Sequence, residues 1–197
     1  TFTINELDSG KAVSEMEIVH DKIMHVVLVR NDLRYFDHIH PVVTGAGKFS
    51  VPYMFSAPGI YRIWIDFTID GMQHIVDLDL DVSGSVQLEE QNMLNSLKVV
   101  MDAPTEITVG KETELTFTVT DAGKPVPITE KFLAANAHLI AIDETLNDFS
   151  HNHDEKFDKD NIISFAHKFT KSGRHKLWVQ FIANSKETTA GFDLTVK

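Results

Sequence analysis

The feature that most constrains the fold is an internal duplication. Thr1-Phe2-Thr3-Ile4 recurs as Thr116-Phe117-Thr118-Val119, and Gly10-Lys11-Ala12-Val13 as Gly123-Lys124-Pro125-Val126. His25-Val26-Val27-Leu28-Val29 returns as His138-Leu139-Ile140-Ala141-Ile142, and Phe36-Asp37-His38-Ile39-His40 as Phe149-Ser150-His151-Asn152-His153. Further on, Gly59, Trp64, Phe67 and Asp79-Leu80-Asp81-Val82 find counterparts in Gly173, Trp178, Phe181 and Asp193-Leu194-Thr195-Val196. Matches that keep their order and near-constant spacing along most of a chain mark a repeated structural unit. Each copy is about 100 residues, a common size for a small domain.

Each copy reads as all-β. Val26-Val27-Leu28-Val29, Tyr61 to Phe67 and Glu114 to Thr120 are short runs rich in β-branched and aromatic residues. Turn residues punctuate them at Asn31-Asp32, Gly45-Ala46-Gly47, Pro58-Gly59, Asp121-Ala122-Gly123 and Ser172-Gly173. Such spacing predicts two tandem immunoglobulin-like antiparallel β-sandwich domains, residues 1–83 and 97–197, joined by a linker over 84–96. Ser83 to Ser96 is polar and acidic, an exposed linker or a short helix. His74 to Val82 and Thr188 to Val196 alternate apolar and polar residues, as edge strands do. The second copy has an extra opening strand, Leu97 to Met101, ahead of the Pro104 turn. Thr1 to Ile4 reads as the middle of a strand, so the first repeat is expected to lack its opening strand, as a trimmed fragment would. Trp64 and Trp178, mid-strand at equivalent places, are expected to fill the two cores.

Charge and composition remove several classes of function. Lys and Arg number 18 against 29 Asp and Glu, a net charge of -11. That argues against a nucleic-acid partner and leaves an acidic surface suited to a protein partner. No apolar run reaches the roughly 18–20 residues of a membrane span, and the opening residues carry no targeting signal. Cysteine is absent, which excludes disulfides, thiol nucleophiles, Cys-ligated zinc and iron–sulfur clusters. There is no phosphate-cradling glycine loop or dinucleotide fingerprint, and Ser150 beside His151 lacks a nucleophile elbow, so no enzymatic activity is expected. Asp158-Lys159-Asp160-Asn161 reads as a solvated turn rather than a calcium loop, having neither the glycine nor the distal glutamate.

Histidine, with ten residues, carries the chemistry. If Asn31-Asp32 is a two-residue hairpin turn, His25 stands directly opposite His38, with His40 on the same face two positions along. His138, His151 and His153 repeat the arrangement. Three neutral imidazoles with no thiolate suit Cu(II) or Zn(II), with water or a carboxylate (Asp37 in the first copy, Asp154 or Glu155 in the second) completing the shell. The affinity order tilts the choice towards copper, with zinc as the alternative. Met24 beside His25 is a soft neighbour that the second copy replaces by Ala137. A second reading makes these histidines structural, each tying a hairpin to a backbone carbonyl in a plain interaction or spacer module. His167 and His175 stand where the first copy has Tyr53 and Tyr61 and are expected to be packing residues. His20 and His74, with no counterparts, are expected at the surface.

His25-Val26-Val27-Leu28-Val29, Asp32-Leu33, Phe36, His38-Ile39-His40-Pro41, Gly47-Lys48-Phe49, Phe55, Pro58-Gly59-Ile60-Tyr61 and Asp66-Phe67 together resemble a bacterial extracytoplasmic immunoglobulin-like module. It is related in style to the YtkA-like and copper-resistance CopC-like domains, which occur in secreted or lipid-anchored proteins of heavy-metal handling. The second copy departs from the pattern with Asp154 for the proline, His175 for the tyrosine and Gln180 for the aspartate. The resemblance implies an extracytoplasmic protein that buffers, delivers or senses a metal ion through the three histidines of each copy.

Overall fold

Runs of β-branched and aromatic residues become strands throughout, and no α-helix occurs among the described residues. The structure is a computed structural model that describes residues 1–13, 15–84, 97–154 and 161–197. The chain divides into two units, Thr1–Gln91 and Asn92–Lys197. Most of the expected linker and the segment Asp158-Lys159-Asp160 lie outside the described residues.

The first unit contains β1 (Phe2–Thr3), β2 (Met24–Arg30), β3 (Phe36–Ile39), β4 (Val42–Gly45), β5 (Lys48–Ser50), β6 (Gly59–Ile69) and β7 (Met72–Val82). They form two antiparallel sheets, β1-β5-β4 and β3-β2-β6-β7. The second contains β8 (Leu97–Asp102), β9 (Glu112–Asp121), β10 (Lys124–Pro125), β11 (Ala137–Asp143), β12 (Phe149–Asp154), β13 (Ile162–Lys168), β14 (Gly173–Ala183) and β15 (Lys186–Val196). Its sheets are β10-β9-β13, with β8 also paired to β9, and β12-β11-β14-β15. The expected all-β sandwich is present in each unit, with β7 and β15 at sheet edges.

The cores lie between the two sheets of each unit. In the second unit Leu115, Phe117, Ile163 and Phe165 of one sheet meet Leu139, Ala141, Leu177 and Val179 of the other. In the first, Phe49 meets Val26, Leu28, Tyr61, Ile63 and Ile65. Side chains alternate across a strand, so the residues between these core positions point the other way. This corrects the expectation for the tryptophans: Trp64 and Trp178 are buried, yet they fall between the core positions of β6 and β14 and belong to neither inter-sheet cluster. They share the opposite face with His25 and His138, and every residue of β2 and β11 is buried on both faces.

Pro41 explains a difference between the copies. A proline cannot donate to the ladder, and β3 stops at Ile39. The second copy has Asp154 in that place, and β12 runs on until Asp154 pairs with Ala137.

Candidate metal centre

The connection between β2 and β3 is longer than the two-residue turn expected. The Arg30 N–H donates to the Tyr35 carbonyl at 3.1 Å, and the Leu33 N–H donates to the Arg30 carbonyl at 2.8 Å. The chain therefore turns through Asn31, Asp32, Leu33 and Arg34, with Leu33 at a φ of 59°. The Asp32 carboxylate holds this turn, accepting from Arg30 Nε at 3.0 Å, Arg30 Nη2 at 2.8 Å and the Arg34 N–H at 3.1 Å. Val27, not His25, stands opposite His38. The slip is by two residues, and a shift of two keeps every side chain on its own face. The histidines still converge.

His25 Nδ1 lies 3.1 Å from His38 Nε2 and 3.2 Å from His40 Nε2. One ligand atom from each histidine lies within 4.8 Å of the others, a grouping able to hold a metal ion. The other His25 nitrogen, Nε2, is 3.0 Å from the Val19 carbonyl. A carbonyl oxygen can only accept, so Nε2 carries the proton and Nδ1 presents its lone pair to His38 and His40. Val19 is placed by a tight hairpin in which Val19 and Lys22 exchange backbone hydrogen bonds. His20 and Asp21 between them have φ values of 49° and 64°, as a type I′ turn requires.

The second unit repeats the contacts of the first histidine. His138 Nδ1 is 3.0 Å from His151 Nε2, and His138 Nε2 is 2.9 Å from the Phe132 carbonyl. His153, directly opposite His138 in the β11–β12 pairing, has its ring centroid 4.5 Å from His138 and 4.4 Å from His151. The corresponding distances in the first unit are 4.9 Å for His25–His40 and 4.5 Å for His38–His40. Phe132 sits on its own two-residue turn, with Leu133 and Ala134 at φ of 50° and 62°.

These separations suit a small transition-metal ion. Imidazole nitrogens about 2.0–2.1 Å from a tetrahedral ion lie roughly 3.3 Å apart. The trio needs only a small adjustment to reach that, with the proton of His38 and of His40 moving to Nδ1. A backbone carbonyl holding the second nitrogen of a ligating histidine is the usual way such a ring is oriented.

Sequence reasoning missed Asp66. It stands opposite His25 in the β2–β6 pairing, on the same face, and only 6% of it is exposed. Its Oδ2 accepts a bond from Gln73 Nε2 at 2.9 Å. The signal was a carboxylate inside the apolar run Ile63-Trp64-Ile65-Asp66-Phe67. A buried carboxylate is costly without a cation or strong donors near it. The second unit has Gln180 opposite His138, 9% exposed and bonded to Thr189 Oγ1 at 3.4 Å. The two trios therefore differ in the group opposite their first histidine, a carboxyl in one and an amide in the other.

Asp37 is not grouped with the three histidines. It alternates with His38 along β3 and its Oδ2 accepts the Tyr53 hydroxyl at 3.0 Å, while Tyr35 and Tyr53 bond to each other at 2.7 Å. Burial, the bond to Tyr35 and the Asp37 charge hold the Tyr53 hydroxyl well above the ordinary phenol range. Glu155 lies outside the described residues. His167 and His175 are buried against Phe169, as packing residues. His74 is half-buried and stacks on Phe67, with centroids 5.5 Å apart.

A family model described as Domain of unknown function (DUF8832) matches residues 1–84 and 92–197, nearly the whole chain. A search of curated proteins finds no match.

Proposed function

We propose that this chain, which belongs to the DUF8832 family, is a metal-binding module whose two histidine trios each take one Cu(II) or Zn(II) ion. The single observation that carries the reading is the convergence of His25 Nδ1, His38 Nε2 and His40 Nε2 within 4.8 Å. The His138, His151 and His153 trio follows by its matching geometry. Copper is the favoured ion, because three imidazoles without a thiolate bind it above zinc in the affinity order. The Asp66 carboxylate supports the first centre as the stronger of the two. In this reading the chain buffers, delivers or senses the ion and performs no catalysis. An extracytoplasmic setting agrees with a chain free of cysteine.

The bonds from His25 to Val19 and from His138 to Phe132 favour a second reading, in which the histidines only anchor hairpins in an interaction module. Titration of untagged, metal-free protein with Cu(II) and Zn(II) separates the two. The metal reading expects two equivalents bound by the wild type and one by a His38→Ala/His40→Ala variant. Identical stoichiometry and affinity in both proteins would refute it.

A further inference from the structure

The three tyrosines of the chain, Tyr35, Tyr53 and Tyr61, gather beside the β2–β3 turn of the first unit. The Tyr35 and Tyr53 hydroxyls bond to each other at 2.7 Å, and the Tyr35 and Tyr61 rings lie 5.4 Å apart. The Tyr61 hydroxyl donates to the Ala57 carbonyl at 2.7 Å. Phe55 stands between Tyr53 and Tyr61, with its centroid 4.9 Å from each. The second repeat replaces all three tyrosines at once. Asp148 takes the place of Tyr35, His167 that of Tyr53 and His175 that of Tyr61. Phe169 keeps the place of Phe55, 4.4 Å from His167 and 5.0 Å from His175. A set of hydroxyls has become two imidazoles and a carboxylate on the same framework.

Packing against Phe169 accounts for the His175 ring but not for its Nε2 atom. His175 is 2% exposed, and its Nδ1 donates to the Gly173 carbonyl at 3.2 Å. In the neutral ring Nε2 therefore carries the lone pair. Nε2 is buried with no hydrogen-bond partner among the described residues, and it faces Asp148 Oδ2 at 3.8 Å. Two acceptors facing each other away from water are unfavourable unless positive charge lies between them. Asp143, opposite His175 in the β11–β14 pairing, adds a second carboxylate on that face, its own oxygens taken by the donors of the turn. His167 comes from the other sheet, on β13, with its Nε2 3.5 Å from Ser150 Oγ. Burial lowers its pKa most, and the charges of Asp148 and His175 reach it too, the first raising the value and the second lowering it.

We propose that Asp148, His167 and His175 form a third metal site, which takes Zn(II) or a similar divalent transition-metal ion between the sheets of the second unit. Two histidines and a carboxylate are an established donor set for such an ion, with water in the open position. Nitrogen and oxygen atoms bound to one tetrahedral ion lie roughly 3.3–3.5 Å apart, so Asp148 and His175 already stand near the required bite. His167 is the ligand that turns, leaving Ser150 to reach the ion. The Gly173 carbonyl holds the second nitrogen of His175, as the Val19 carbonyl does for His25. Because one ligand must move, the site binds more weakly than the two trios and fills after them. It does not depend on the trios binding a metal.

The test uses the untagged, metal-free full chain carrying His38→Ala/His40→Ala/His151→Ala/His153→Ala, which removes both trios and whose fold is checked by far-ultraviolet circular dichroism. Isothermal titration with Zn(II) is expected to show one equivalent bound. Adding Asp148→Asn, or His175→Tyr, which restores the residue of the first repeat, is expected to weaken that binding by about tenfold or more. The wild type gives a second measurement that needs no variant to fold. In its nitrogen-15 long-range spectra, Zn(II) added beyond two equivalents is expected to shift His175 Nε2 while Nδ1 keeps its proton. The proposal is overturned if the four-histidine variant folds and binds no Zn(II). It is overturned equally if neither Asp148→Asn nor His175→Tyr changes the affinity, which would mean an adventitious ion only. A His175 Nε2 that carries a proton with and without Zn(II) would make Asp148 and His175 a plain ion pair, and would also overturn it. One equivalent retained by the four-histidine variant and lost with Asp148→Asn supports the site, whether or not the trios bind.

Discussion

The imidazole of His25 donates from Nε2 to the carbonyl of Val19 at 3.0 Å, and that one bond decides which nitrogen faces the other two histidines. A hairpin turn fixes Val19, the bond fixes the tautomer, and the tautomer leaves the lone pair of Nδ1 facing the other two rings. His138 and Phe132 reproduce the relationship at 2.9 Å. Nitrogen-15 long-range correlation spectra of the metal-free protein should show both rings as Nε2–H tautomers. On adding Zn(II), the Nδ1 resonances of His25 and His138 should shift while their Nε2 protons persist. Nδ1–H tautomers for these two rings would mean that the lone pair points at the turn, which a carbonyl does not permit.

The pairing of Asp66 with His25, against Gln180 with His138, predicts unequal sites. A buried negative charge beside a bound cation is favourable, and a neutral amide supplies much less. In a His151→Ala/His153→Ala background, which isolates the first trio, Asp66→Asn should weaken Cu(II) or Zn(II) by about tenfold, the size of a modest charge interaction. Isothermal titration gives the number. An unchanged affinity would show that Asp66 does not act on the ion.

Much of this was readable from residues alone, and the exceptions have physical causes. The duplication, the strands and the gathering of His25, His38 and His40 follow from order, composition and the two-residue period of a strand. The turn did not. Asn31-Asp32 carries a strong turn signature, but the chain turns through four residues and places Leu33 at positive φ, where leucine is rarely found. The side chain of Asp32, bonded to Arg30 and Arg34, holds that turn, a cooperation that no local propensity reveals. The error was harmless because a slip of two leaves the facing unchanged. Trp64 was misassigned for a related reason: alternation tells which residues share a face, and β6 buries residues on both. Asp66 stayed hidden because its meaning depends on the strand beside it.

Asp143 should give the second unit a marked acid sensitivity. It occupies the place of Arg30, and its carboxylate caps the β11–β12 turn. It accepts the Thr145 hydroxyl and the N–H groups of Asn147 at 2.7 Å, Asp148 at 2.7 Å and Thr145 at 3.2 Å. Burial by itself would raise its pKa, but these donors outweigh it and hold the value below the ordinary carboxylate range. The folded value therefore lies below the unfolded one. The resulting stability is present above the unfolded value and is lost as pH falls through the folded value. His167 acts in the same direction, since burial lowers its pKa and the fold favours the neutral ring. Its share is complete above about pH 6.5, the unfolded value, and is lost as pH falls towards the folded value. Asp143→Asn should cost about 2 kcal/mol at pH 7, the usual worth of charge-assisted hydrogen bonds, and should flatten the acid limb of the stability curve. Urea unfolding between pH 7 and pH 3 measures both. A variant with the wild-type pH profile would count against this role.

Acid should also empty the metal centres, and by a steeper law than unfolding follows. In the proposed reading each trio binds through neutral imidazoles, so protons compete with the ion; in the first trio His25 Nδ1 lies within hydrogen-bonding distance of both His38 and His40. Because a nitrogen cannot hold a proton and the ion at once, affinity should fall as pH falls, by more than tenfold per pH unit where more than one proton is taken up for each ion released. Dialysis against buffered Zn(II) between pH 7.5 and pH 5, with far-ultraviolet circular dichroism to establish that the strands persist, gives the slope. A fall of tenfold per unit or less would mean that one histidine at most carries the ion, and the three-ligand centre would have to be abandoned even if binding itself survived.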